Sequence, residues 1–209
     1  MADAVLADPT LDEAIADARS GAVRALDLTG PAALRPFVVD GLVRAGRTVL
    51  AVTATAREAE DLVEELGSLL DPDTVALYPS WETLPHERLS PRSDTVGRRL
   101  AVLRRLAHPD AAHGPLSVVV APVRSVLQPQ VKGLGDLEPV ELVPGQTVPM
   151  EEVVQRLADA AYSRVDLVEK RGEFAVRGGI VDVFPPTEEH PLRVEFWGDD
   201  VEEIRSFSV

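Results

Sequence analysis

The strongest constraint on the fold is the pairing of two adjacent segments, Thr48-Val-Leu-Ala-Val-Thr53 and residues 57–70. The first is an unbroken apolar run of strand length, which reads as a strand buried on both faces. The second sets Leu62, Val63, Leu66 and Leu70 at helical spacing. The same alternation recurs through the first half of the chain. Residues 25–28, 74–77 and 116–121 read as short apolar strands, and residues 32–45 and 94–106 as helices, the former ending at Gly46. Asp8-Pro-Thr-Leu-Asp-Glu opens a further helix, with Asp8 or Thr10 as its cap. Strand–helix–strand repetition of this kind predicts an α/β domain, a mostly parallel sheet sandwiched by helices.

The second half changes character. Gln128-Pro-Gln-Val-Lys-Gly-Leu-Gly is a natural boundary, so domains are expected at 1–128 and 129–209. Beyond it, residues 149–162 place Val153, Val154, Leu157 and Ala161 on one helix face. Strands are expected at 140–142, 174–176, 180–184, 192–197 and 201–209, with Gly198-Asp-Asp as a hairpin turn. That pattern predicts a small α+β domain with an antiparallel sheet. The sequence stops at Val209 inside a strand-like pattern, which suggests a fragment of something longer.

Composition narrows the chemistry. There is no cysteine, which excludes disulfides, zinc ribbons and thiol catalysis. The N-terminus is acidic and lacks the basic start and apolar run of a secretory signal. No run approaches the length of a membrane span, so a cytoplasmic protein with no membrane partner is expected. The net charge of −14 disfavours a general nucleic-acid-binding surface. Residues 131–209 carry 8 basic against 17 acidic side chains, so arginines there stand in acidic surroundings.

Four motifs bear on function. Asp27-Leu-Thr-Gly30-Pro31 falls between a strand and a helix, where a phosphate loop would lie. A working loop needs several glycines, then Lys, then Ser or Thr for magnesium. Only Gly30 is in place, and no lysine precedes Lys132, so no nucleotide cofactor and no metal are expected. Tyr78-Pro-Ser-Trp81-Glu-Thr-Leu-Pro85-His86-Glu87 is a Pro-rich loop whose Trp81 is read first as an anchor and second as a binding platform. His86 beside Glu87 lacks a partner nucleophile. Arg98, Arg99, Arg104 and Arg105 spread around a helix, as on a solvated face. Finally, Tyr162-Ser-Arg164 through Arg171, Phe174, Arg177-Gly178-Gly179 and Phe184-Pro-Pro alternates polar and apolar residues, and its arginines suit bidentate contacts to carboxylates. Internal salt-bridging of a surface sheet explains them as well.

The same segments carry a family resemblance. Arg171-Gly-Glu-Phe-Ala-Val-Arg-Gly-Gly-Ile-Val-Asp-Val-Phe-Pro and Leu192-Arg-Val-Glu-Phe-Trp-Gly-Asp-Asp resemble the second domain shared by UvrB and the Mfd-type transcription-repair coupling factors. Tyr78-Pro-Ser-Trp-Glu-Thr-Leu-Pro and Val118-Val-Val-Ala-Pro-Val-Arg-Ser-Val-Leu are similar to the Mfd type in particular. The resemblance covers residues 20–209 and implies a degenerate RecA-like first domain without an ATP site. It further implies that this region recruits UvrA and has no catalysis of its own. Arg164, Arg177 and Phe184 are the implied UvrA-contacting residues, with Phe184 open between interface and core, and the arginine pattern of the segment adds Arg171. A third UvrB arginine falls on Ala175 here. In such a family the parent is an ATP-driven DNA translocase that displaces stalled RNA polymerase. ATP and Mg, RNA polymerase and DNA would be bound by regions downstream, and contacts within the parent would hold those domains. Two rival readings remain: a structural clamp on the parent's motor, and a residual nucleotide hydrolase at Gly30.

Overall fold

A computed structural model describes residues 2–21, 23–83, 91–109 and 114–208. His86 and Glu87 therefore lie outside the described residues. The chain divides into two compact units. One comprises Met1–Trp81 with Arg99–Asp136, the other Glu82–Arg98 with Leu137–Val209. The division is discontinuous, unlike a single cut at 128/129. Residues up to Asp136 stay with the first unit because His108 Nε2 meets Asp136 Oδ1 at 3.0 Å and Arg104 donates to the Asp136 carbonyl at 3.4 Å. Glu82–Arg98 counts with the second because Gly97 abuts Pro186 and Gly172 abuts Ser93 so closely that a Cβ would clash.

The first unit opens with α1 (Ala2–Leu6) and α2 (Pro9–Ser20). Asp8 caps α2 as expected, accepting from the amides of Thr10 and Leu11 at 3.0 and 3.1 Å. A 3-10 turn, Ala32–Leu34, leads into α3 (Arg35–Arg44), followed by β1 (Val49–Thr53) and α4 (Ala56–Gly67). Then come β2 (Val75–Leu77), the C-terminal part of α5 (Ser93–Ala107), β3 (Val118–Pro122) and α6 (Val123–Leu127). The sheet is parallel, in the order β1-β3-β2. β3 is buried throughout because alternate residues face two cores. Val118 and Val120 pack with Val39, Ala59, Leu62 and Leu66, while Val119 and Ala121 pack with Tyr78, Val102 and Leu116. This is the expected α/β sandwich.

Two expectations fail in this unit. Residues 25–28 form no strand: nothing among the described residues pairs with them, and Leu26 and Leu28 are exposed. β1 is not buried on both faces, because it is an edge strand and Leu50 and Val52 are exposed.

The second unit combines α7 (Met150–Asp159) with a five-stranded sheet. Its strands are β4 (Ser163–Arg164), β5 (Glu173–Arg177), β6 (Ile180–Val183), β7 (Leu192–Trp197) and β8 (Asp200–Ser206), in sequence order across the sheet. All pairs are antiparallel except β4 with β5. Val153 and Leu157 of α7 cover one face, meeting Phe174, Val181, Val183, Val194, Phe196 and Val201. The strand expected at 140–142 is loop instead, although Val140 and Leu142 still pack on that core. Gly178, at φ 59°, makes the β5–β6 turn, and Gly179 lies against the Phe196 carbonyl, where a Cβ would sit at 2.8 Å. The β7–β8 ladder carries a register irregularity between Glu195 and Phe196. Among the described residues no helix is long and apolar enough to cross a membrane.

Candidate partner-docking surface

Register decides which side chains share the sheet face away from α7. Ala175, Asp182, Arg193 and Arg205 stand in one row across β5 to β8, and Arg177, Ile180, Glu195 and Glu203 in the next. Asp182 interrupts the otherwise apolar run of β6. It is 2% exposed, so as a charged group it must be paired. Arg193 supplies a bidentate contact, Nε to Oδ1 at 2.7 Å and Nη2 to Oδ2 at 2.8 Å. Arg177 adds Nη2 to Oδ2 at 2.8 Å. These bonds, Arg193's foremost, hold the Asp182 carboxyl below its ordinary range against the opposing pull of burial.

Arg164, on the edge strand β4, and Arg177, at the end of β5, line one shallow depression of about 520 Å³ with Val165, Asp166 and Val176. Two of the four predicted contact residues thus come together. Arg171 does not line this depression. Its Nε donates to the Glu188 carbonyl at 3.1 Å and its guanidinium lies 5.1 Å from the centre of the Phe184 ring. Phe184 is 9% exposed and packs with Val168 and Ala175, with Val165 alongside. Ala175 is buried in that cluster.

Asp182 and Arg193 escaped the sequence reading as site residues, although an acid inside Ile180-Val-Asp-Val-Phe184 was a legible signal. Trp197 was also passed over. It is 79% exposed on the hairpin between β7 and β8.

Arg99 is fully buried rather than solvated: its guanidinium stacks 4.1 Å from the Tyr78 ring centre and 4.2 Å from that of Trp81. It donates to the Pro79 carbonyl at 2.6 Å, and burial pulls its pKa down. Helical spacing could not reveal this, because the Tyr78–Trp81 loop closes over that side of α5. Gln128 clasps the Trp81 backbone from both sides, accepting from its amide at 2.8 Å and donating to its carbonyl at 3.2 Å. Trp81 is therefore an anchor. The Gly30-Pro31 turn is exposed and leads into the 3-10 turn. Among the described residues no cluster of His, Asp or Glu has the makings of a metal site.

Residues 140–209 match the UvrB interaction domain family. The whole chain is similar to the transcription-repair-coupling factor of Mycobacterium tuberculosis, with 54% identity over 100% of this chain and 17% of the relative. It is 32% identical to that of Bacillus subtilis over 78% of this chain and 13% of the relative. For Escherichia coli the figures are 32%, 88% and 15%. The chain thus matches only 13% to 17% of the length of these relatives. With a parallel α/β unit followed by a mixed sheet on which the UvrB interaction match falls, the chain belongs to the transcription-repair-coupling factor family and corresponds to the part that holds its UvrB interaction domain.

Proposed function

We propose that this chain is a UvrA-docking module, without catalysis or cofactor of its own, from a cytoplasmic factor that couples transcription to excision repair. The parent would be the ATP-driven translocase that acts on DNA and stalled RNA polymerase through its other regions. One observation carries the reading: Arg164 and Arg177 line a single exposed depression. Two arginines bordering one shallow, mainly polar hollow suit a partner that offers carboxylates. Phe184 packs with Val165 of the depression, and the exposed Arg171 lies over the Phe184 ring.

The test is calorimetric titration of UvrA with this chain. Arg164→Ala and Arg177→Glu should each weaken binding by roughly 30-fold or more, the scale of an interface hot spot. The unfolding midpoint of Arg164→Ala should stay near wild type, since Arg164 is exposed, whereas Arg177→Glu also loses a bond to the buried Asp182, so circular dichroism must first show that it is folded. If both variants bind UvrA normally, the docking surface lies elsewhere. Titration with ATP should give no heat, because Pro31 takes an amide donor from the Gly30 turn.

A further inference from the structure

The docking reading leaves unused the one buried acid on the outer sheet face, Asp182. It faces Arg193 directly across the β6–β7 ladder and Arg177 diagonally across β5–β6. Its oxygens are not equivalent. Oδ1 accepts from Arg193 alone, whereas Oδ2 is shared between Arg193 and Arg177. The fork of Arg193 fixes the carboxylate, with its own guanidinium further seated 5.2 Å from the centre of the Phe207 ring. Arg177 is held differently. It commits one N–H to Asp182, and its other four donors have no hydrogen-bond partner among the described residues. Its side chain is 54% exposed.

An exposed arginine is ordinarily free to rotate about four side-chain bonds, and a partner must freeze that motion on binding. A guanidinium tethered by one nitrogen to a fixed, buried carboxylate has lost much of that freedom beforehand, with donors still to offer. We propose that Asp182 is a positioning residue, which holds the Arg177 guanidinium in one orientation on the outer sheet face, beside the depression that Arg177 helps to line, before a partner arrives. This rests on the docking reading above, and it has a consequence of opposite sign to simple charge. Neutralising Asp182 makes the face more positive, which by long-range attraction strengthens binding to an acidic partner. Loss of positioning weakens it.

The experiment is a calorimetric titration of UvrA with this chain as wild type, Asp182→Asn, Arg177→Ala and the double variant. Asp182→Asn should weaken binding roughly 3- to 10-fold, the scale of one side chain left to be immobilised. The double variant should bind no worse than Arg177→Ala alone, since Asp182 acts through Arg177. Asp182→Asn binding as tightly as wild type or tighter, with Arg177→Ala weak, overturns the positioning role and leaves the docking reading standing. Fully additive losses overturn it as well. Arg177→Ala binding like wild type removes Arg177 from the docking surface, and this inference with it. Should Asp182→Asn fail to fold, nitrogen-15 NMR of the wild-type guanidiniums decides, with Arg177→Lys supplying the assignment. Separate, slowly rotating Nη signals for Arg177 support the tether, and one averaged signal refutes it.

Discussion

Replacing Phe184 by alanine separates two roles that look alike in sequence, a core side chain and an interface side chain. Phe184 is 9% exposed, beneath Arg171 and against Val168, Ala175 and Val165. A phenylalanine buries on the order of 150 to 250 Å², or about 4–6 kcal/mol at about 25 cal/mol/Å². Extended-chain references inflate that by roughly 10–40%. The alanine retains part of the burial, while the neighbours are too short to fill the void. The expected loss is about 3–4 kcal/mol, in the usual range for this truncation. Urea unfolding followed by circular dichroism measures it directly. Phe184→Leu keeps most of the volume and should cost about 1 kcal/mol. The folded Phe184→Leu variant should bind UvrA within roughly threefold of wild type, because its effect on the depression is indirect. An unchanged unfolding midpoint for Phe184→Ala, together with lost UvrA binding, would refute the assignment of Phe184 to the core.

Two further outcomes follow from buried charge. The Asp182 carboxyl is held below its ordinary value by Arg193 and then Arg177, so the folded state favours its ionised form. Its contribution to stability is complete above the unfolded value near 4 and is lost as pH falls through the lower folded value; urea midpoints between pH 7 and pH 3 should therefore drop more steeply for wild type than for Asp182→Asn. Arg99 is buried with Nε and Nη2 unpaired, so Arg99→Met, which keeps the bulk and removes unsatisfied donors, should leave stability within about 1 kcal/mol of wild type, whereas Arg99→Ala should cost about 2–4 kcal/mol. Equal losses in both variants would show that the stacked cation itself is the stabilising element.

Local chemistry alone determined a good deal. The Asp8 cap, the amphipathic α4 and α7, the continuous apolar β3 and the hairpin after Trp197 all formed where side-chain type and spacing required. Arg164 and Arg177 were recognisable as a pair through the family resemblance, and both line one depression. What the sequence alone left undecided were features that depend on a neighbour. A strand needs a partner for its ladder, which residues 25–28 lack among the described residues, and β1 lacks cover on one face. Arg99 has the spacing of a surface residue and is buried because a loop 20 residues away folds across it. Asp182 reads as one more acid in an acidic half, yet cross-strand register makes it the buried tie between Arg177 and Arg193. Spacing along one chain specifies which face a side chain takes. Only tertiary packing supplies what stands on the other side of that face, and that decides whether a charge is solvated, buried or held ready for a partner.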